Sequence, residues 1–204
     1  MEALIRLNNQ TAGRDKIARL LQYLSRALWA LLEGRPRAVH KLQGLENALS
    51  TFRKLLRWGR CVEAVHSALQ AMSHPDAAQR TILALGRIAH ALFLFADHIL
   101  WLGRAGLAKV DAKKWASIAN RYWLYSVTMN LVRDLMALRE AKERKGSISG
   151  EGPWIVDTVK NSCDFFIPLT ALEHIRLGPA TIGLLGVVSS LAGLLPMLHP
   201  QLKL

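Results

Sequence analysis

The chain has 204 residues, of which 51% are hydrophobic and 21% charged. That much apolar surface excludes wholesale disorder, and the length fits one domain or one small membrane protein. The formal net charge is +12, from 27 bases and 15 acids, and its placement is uneven. Residues 1–60 hold 12 bases against 4 acids, whereas residues 146–204 hold 3 against 4. A basic first part and a neutral, apolar last part point to an anionic surface at one end and a bilayer at the other. The two cysteines, Cys61 and Cys163, stand in neither metal-type nor redox-type spacing, so a disulfide scaffold and a zinc ribbon are both excluded.

Along the chain nearly everything reads as helix, and the fold class expected is all-α and membrane-associated. The first ten residues alternate polar and apolar side chains without a continuous apolar core, which argues against a cleavable signal and for a cytosolic N-terminus. Ile17, Leu20, Leu21, Leu24, Leu28, Leu31 and Leu32 recur at helical spacing until Gly34 and Pro36 interrupt them. From Leu45 to Arg60 a second amphipathic helix gathers Leu45, Ala48, Leu49, Phe52, Leu55 and Leu56 on one arc, with Arg53, Lys54, Arg57 and Arg60 on the neighbouring arc. Apolar residues beside long basic side chains compose a helix lying in an anionic membrane interface, or equally a soluble bundle helix with a solvated charged face. Only Trp58 lies near the basic arc, too little stacking surface for nucleic acid.

Residues 82–102, ILALGRIAHALFLFADHILWL, form an apolar run interrupted by Arg87 and Asp97. Each charge would cost about 2.5–3.5 kcal/mol at the centre of a lipid-facing helix. Arg87, His90, Asp97, His98 and Arg104 share one helical face, a polar stripe expected to look toward other helices. No nucleophile or third ligand accompanies Asp97, His90 and His98, so neither an enzyme nor a metal centre is expected, and no cofactor. A further helix from Trp115 to Leu138 carries Tyr122, Trp123 and Tyr125, which fit interface anchors or core aromatics alike. GSISGEGP, residues 146–153, reads as a linker between an amphipathic region, 1–145, and an anchoring region, 154–204. A helix from Trp154 is expected to stop at Phe166, before Pro168. Residues 177–198, LGPATIGLLGVVSSLAGLLPML, hold no charge and are long enough for a transmembrane helix, which takes about 20 apolar residues. Within them Gly186 and Ser190, and Ser189 and Gly193, repeat at four-residue spacing, the small-residue pattern of closely packed membrane helices, here a candidate self-association face.

FRKLLRWGR (52–60), LGRIAHALFLFADHILWLGRAGL (85–107), KWASIANRYWLYSVTMNLVRDL (114–135), VDTVKNSCDFFIPL and GPATIGLLGVVSS (between 156 and 190) together resemble the peroxin-eleven family of peroxisomal membrane proteins, collinearly over nearly the whole chain. The opening ALIRLNNQTAGRDKIARLLQYLSR is nearest to the family's alpha and beta members. The resemblance implies an integral peroxisomal membrane protein that elongates peroxisomes for proliferation and fission, by inserting an amphipathic helix and oligomerising. It places the curvature-generating helix at about 45–72, with Phe52, Arg53, Lys54, Leu55, Leu56, Arg57 and Arg60 against an anionic phospholipid membrane. Implied partners are further copies of the chain, a dynamin-related fission GTPase with its membrane adaptors, and a cytosolic receptor for peroxisomal membrane proteins. A channel for small metabolites, lined by Arg87, His90, Asp97 and His98, is the alternative. The linker is shorter than is usual in the family and the lysine-rich tail of some members is absent, which weakens any expectation of contacts made through those segments.

Overall fold

The computed structural model describes residues 2–32, 34–143 and 152–204, and the linker expected at 146–153 lies outside them except for its last two residues. Among the described residues eight α-helices run in order: α1 Glu2–Asn9, α2 Thr11–Leu31, α3 Pro36–Leu56, α4 Arg60–Ala71, α5 Ala77–Arg104, α6 Ala112–Glu143, α7 Gly152–Ala171 and α8 Pro179–Leu198, followed by a short 3-10 turn. The all-α class holds: among the described residues there is no strand. Helices α5 and α8 are each long and apolar enough to cross a membrane. At 1.5 Å per residue the 28 residues of α5 reach about 42 Å, more than the hydrocarbon thickness of a bilayer.

Six helices close a ring, because α2 packs on α3, α3 on α5, α5 on α6, α6 on α7, α7 on α8, and α8 returns to α2. Neighbours are antiparallel. Helix α2 meets α8 through Ala27 at Gly183, Tyr23 at Gly186 and Lys16 at Gly193, residue numbers falling on one helix as they rise on the other. Helix α3 meets α5 likewise, Ser50 and Thr51 lying by Arg104 and the Arg57 carbonyl by His98. The turns α2–α3, α5–α6 and α7–α8 therefore share one end of the bundle, while the start of α2, the facing ends of α6 and α7, and the end of α8 share the other.

The expected single helix over 45–60 is broken. Helix α3 ends at Leu56, and Gly59 takes a left-handed φ of 80° before α4 begins. Only glycine adopts that conformation without a side-chain penalty, so the break is written into Trp58-Gly59. Below it α4 stays on α5, with Ala64 packed among Ala91 and Leu94, and leaves α2. Helix α7 also departs from expectation by running through Pro168 to Ala171. The proline is fully buried against its neighbours, and within a membrane bundle such packing holds a helix together across one missing backbone bond.

What fills the ring reverses the usual order. Among the described residues, ten of the seventeen buried apolar ones are alanines, whereas Leu24, Leu28, Phe52, Leu55, Leu69, Ile88, Phe95 and Leu191 are exposed. Alanine lets helices approach closely, and an outer surface of large apolar groups has lipid as its natural solvent. The small-residue face of α8 is consumed in this packing: Gly186 lies against the Tyr23 ring, Ser190 donates to the Gly186 carbonyl at 2.6 Å, and Ser189 donates to Asp164. Within the chain, the residues expected to pair two copies pack α8 against α2 and α7. A leucine at 186 would have to displace Tyr23. Gly186→Leu is therefore expected to destabilise the fold by about 1–3 kcal/mol in detergent unfolding, whereas a purely intermolecular role would leave the unfolding midpoint of monomeric protein unchanged.

Candidate functional site: a charged interior

The inward faces of the ring carry charge. Helix α2 turns Asp15, Arg19 and Gln22 inward, α3 turns Arg53 and Lys54, α5 turns Asp97, and α7 turns Asp164. On α3 this follows from the period of the helix, since Arg53 and Lys54, together with Arg57 one turn on, lie opposite Phe52 and Leu55. The membrane-contact residues expected from the sequence are thus divided. Phe52 and Leu55 face outward, Leu56 is half-buried, and Arg60 is half-exposed at the start of α4 with Glu63 3.6 Å away. Arg53 and Lys54 are buried and Arg57 nearly so, and all three spend their charge on carboxylates of other helices instead of on a membrane surface.

The pairs interlock. Arg53 Nε donates to Asp15 Oδ1 at 2.9 Å, and its Nη1 donates to Gln22 Oε1 at 2.8 Å. Arg57 bridges α2 and α5, with Nη2 2.6 Å from Asp97 Oδ2 and Nε 3.9 Å from Asp15 Oδ1. Lys54 closes on the other oxygen of Asp97. On the far side of the ring Arg19 pairs with Asp164, which also accepts from Ser189 of α8. Two further knots tie the perimeter. Arg26 Nε and Trp29 Nε1 both donate to Glu46 at 2.7 Å, joining α2 to α3. Arg133 and Asn161 join Asp134 of α6 to Asp157 of α7, where Lys160 also pairs.

Between these walls lies a polar cleft of about 740 Å³, reached by residues of α2, α3, α4, α5, α6 and α7. His90, half-buried, and Asp97 line it, as the polar stripe of the sequence implies. His98 is instead held outside the cleft, its Nε2 donating to the Arg57 carbonyl at 3.0 Å and its ring packed on Trp58. Arg87 lines a separate pocket beside Arg133 and Trp154, and Arg104 bonds Ser50 and Thr51 at the ring's edge. The stripe is thus divided: His90, Asp97 and Arg104 reach the cleft, Arg87 a separate pocket, and His98 neither. Of the α6 aromatics, Trp123 stacks on Phe93 and Trp115 meets Phe95 edge-on, which makes them packing residues, while Tyr125 is exposed. Asp164 and Asp15, central to the interior, escaped the sequence reading. The signal was present as isolated carboxylates on otherwise apolar or basic helix faces, each needing a base from elsewhere.

A family model described as "Peroxisomal biogenesis factor 11 (PEX11)" matches residues 1–198. Peroxisomal membrane protein 11A of Homo sapiens is 33% identical over 244 residues, covering 100% of this chain and 99% of that protein. Peroxisomal membrane protein 11B of Homo sapiens is 30% identical over 257 residues, with the same coverage of both chains. The peroxisomal membrane protein 11 homolog of Dictyostelium discoideum is 26% identical over 235 residues, covering 95% of this chain and 92% of that one. No solved structure matches.

Removing one partner from a buried pair leaves the other charge uncompensated, typically at a cost of about 3–5 kcal/mol. Asp97→Asn strands Lys54 and most of Arg57, so a loss of that size is expected in detergent unfolding. Adding Lys54→Met should recover a good part of it, and strictly additive losses would show that the two side chains do not meet.

Proposed function

The chain belongs to the peroxisomal biogenesis factor 11 family, and from that premise we propose that it elongates the peroxisomal membrane as a bilayer-embedded wedge, without catalysing a reaction. The observation that carries this is the divergence of α3 and α4. Helix α3 packs on both α2 and α5, whereas α4 packs on α5 and leaves α2. One half of the bundle is therefore broader than the other. Helix α4 and the residue that caps it add Val62, Val65, Leu69 and Met72, all exposed, to the broader half. Apolar volume placed in one leaflet and not in the other expands that leaflet and curves the membrane.

In this reading the apolar belt of the bundle meets acyl chains, and bases at both ends meet lipid head groups. Arg35, Arg37, Lys41, Lys109 and Lys114 are exposed at one end, and Arg14, Arg139 and Lys203 at the other. Each base near an anionic surface contributes about 1 kcal/mol. These take the place that the sequence assigns to Arg53, Lys54 and Arg57. The start of α2, the flanks of the 144–151 segment and the end of α8 share the broad end, which the proposal sets in the cytosol, where curvature toward elongation needs the extra volume. A dynamin-related GTPase and its adaptors, a cytosolic receptor for peroxisomal membrane proteins, and further copies of the chain would act from that face.

The wedge is tested with the full chain reconstituted into mixed phosphatidylcholine and phosphatidylserine vesicles. Wild-type protein is expected to draw tubules that persist when salt is raised, since insertion and not surface charge carries the effect. Val65→Ser with Leu69→Ser leaves every interior pair intact and should abolish tubulation while the protein stays in the bilayer. Equal tubulation by the double variant overturns the mechanism. The polar cleft favours one second reading, a pore for small solutes. Steady single-channel conductance in planar bilayers, unchanged in the Val65 and Leu69 double variant, would select it.

A further inference from the structure

The interior charges do not balance. Among the described residues ten bases and three carboxylates line the central cleft; Arg104 and Lys113 are exposed at its edge, and Arg26, Arg60 and Lys160 pair with carboxylates outside it, which leaves Lys16, Arg19, Arg53, Lys54 and Arg57 against Asp15, Asp97 and Asp164. The perimeter knots do not correct this, because Arg26 with Glu46, and Arg133 and Lys160 with Asp134 and Asp157, are each neutral. Two positive charges are left over inside a bundle whose outer face is apolar. Uncompensated charge in such a setting is strongly unfavourable, so it calls for a counter-anion.

Two side chains mark where the anion sits. Arg19 is 7% exposed and pairs with Asp164 through its terminal nitrogens, yet its Nε, itself buried, has no hydrogen-bond partner among the described residues. Lys16, one helical turn before it, reaches across to α8, where its side chain lies alongside Gly193, and it forms no ion pair among the described residues. Both line the cleft, as does Arg60 at the place where α4 leaves α2. The 740 Å³ available exceeds what a phosphate group needs and is open enough to admit one.

We propose that this cleft binds a phosphate monoester, either free in solution or as the head group of a phospholipid. A monoester carries about two negative charges near neutral pH and presents three acceptor oxygens, matching both the excess charge and the unused donors of Lys16 and Arg19. A singly charged phosphodiester or carboxylate would leave one charge over. Arginine donors in a desolvated setting favour phosphate over the more strongly hydrated surroundings of a surface lysine patch. The site is distinct from the apolar wedge on α4 and does not depend on membrane curvature.

The test uses the full chain in phosphatidylcholine nanodiscs, with radiolabelled inorganic phosphate as one probe and phosphatidic acid doped into the discs as the other. Wild-type protein is expected to bind one probe saturably and to unfold at higher temperature with it. Lys16→Gln should lower that affinity by about tenfold or more, since a hydrogen bond to a charged group is worth about 1.5–3 kcal/mol. Lys16→Arg should retain binding, and Lys109→Gln, at the exposed α5–α6 turn, should leave it unchanged. Saturation by inorganic phosphate alone assigns a soluble monoester, and displacement of it by phosphatidic acid, or stabilisation by the lipid alone, assigns a head group. No saturable binding of either probe, equal binding by the Lys16→Gln protein, or equal loss in Lys109→Gln overturns the proposal.

Discussion

A charge taken into a bilayer must find an opposite charge or leave, and the pairs in this chain reach from one helix to another: α2 to α3, α3 to α5, α6 to α7 and, across the ring, α2 to α7. Arg57 is the centre of that arrangement, lying between Asp15 of α2 and Asp97 of α5, while Arg53 shares the same oxygen of Asp15 and Lys54 takes the other oxygen of Asp97. Helix α3 cannot separate from α2 or from α5 without stranding one of these groups. The pairs therefore fix the rotation of the helices that carry them, and that rotation decides which side chains the outer surface presents. Alanine supplies the close approach, and the large apolar residues, excluded from an interior already filled by charge, are left facing out.

Much of this architecture is legible in the sequence. Helical periodicity marks the ring helices, the uncharged stretch from 177 to 198 marks α8, and the polar stripe on α5 anticipates Asp97 facing its neighbours. The sequence is equally clear that α3 has a basic and an apolar face. It does not say which face meets the rest of the protein. An amphipathic wheel has the same appearance whether its charges look toward water or toward partners, and the choice is made by Asp15 and Asp97, 38 and 43 residues away along the chain. The same limit applies to α8. Its glycines and serines announce a close helix contact, and only the position of Tyr23 and Asp164 reveals that the contact is within the chain.

The inverted interior also separates two properties that a surface amphipathic helix would combine. Electrostatics hold the bundle together from within, so in the proposed function membrane attachment rests on the apolar belt and on bases at the two ends. Shape is then free to do separate work, since the break at Gly59 lets α4 leave the ring without disturbing any of the interior pairs. The excess of positive charge in the cleft is a third, independent feature, stored where the bundle can hold it and lipid cannot screen it.

The central claim is that α3 faces lipid with its apolar side and the protein interior with its bases. Spin labels placed one at a time at Leu45, Phe52, Leu55 and Ala48 in full-length protein in bilayers, read for collision with oxygen and with a water-soluble nickel complex, test it most directly. High oxygen and low nickel accessibility at all four positions, which share the apolar arc, is the predicted result. High nickel accessibility at those positions would place the apolar face away from lipid and contradict the account.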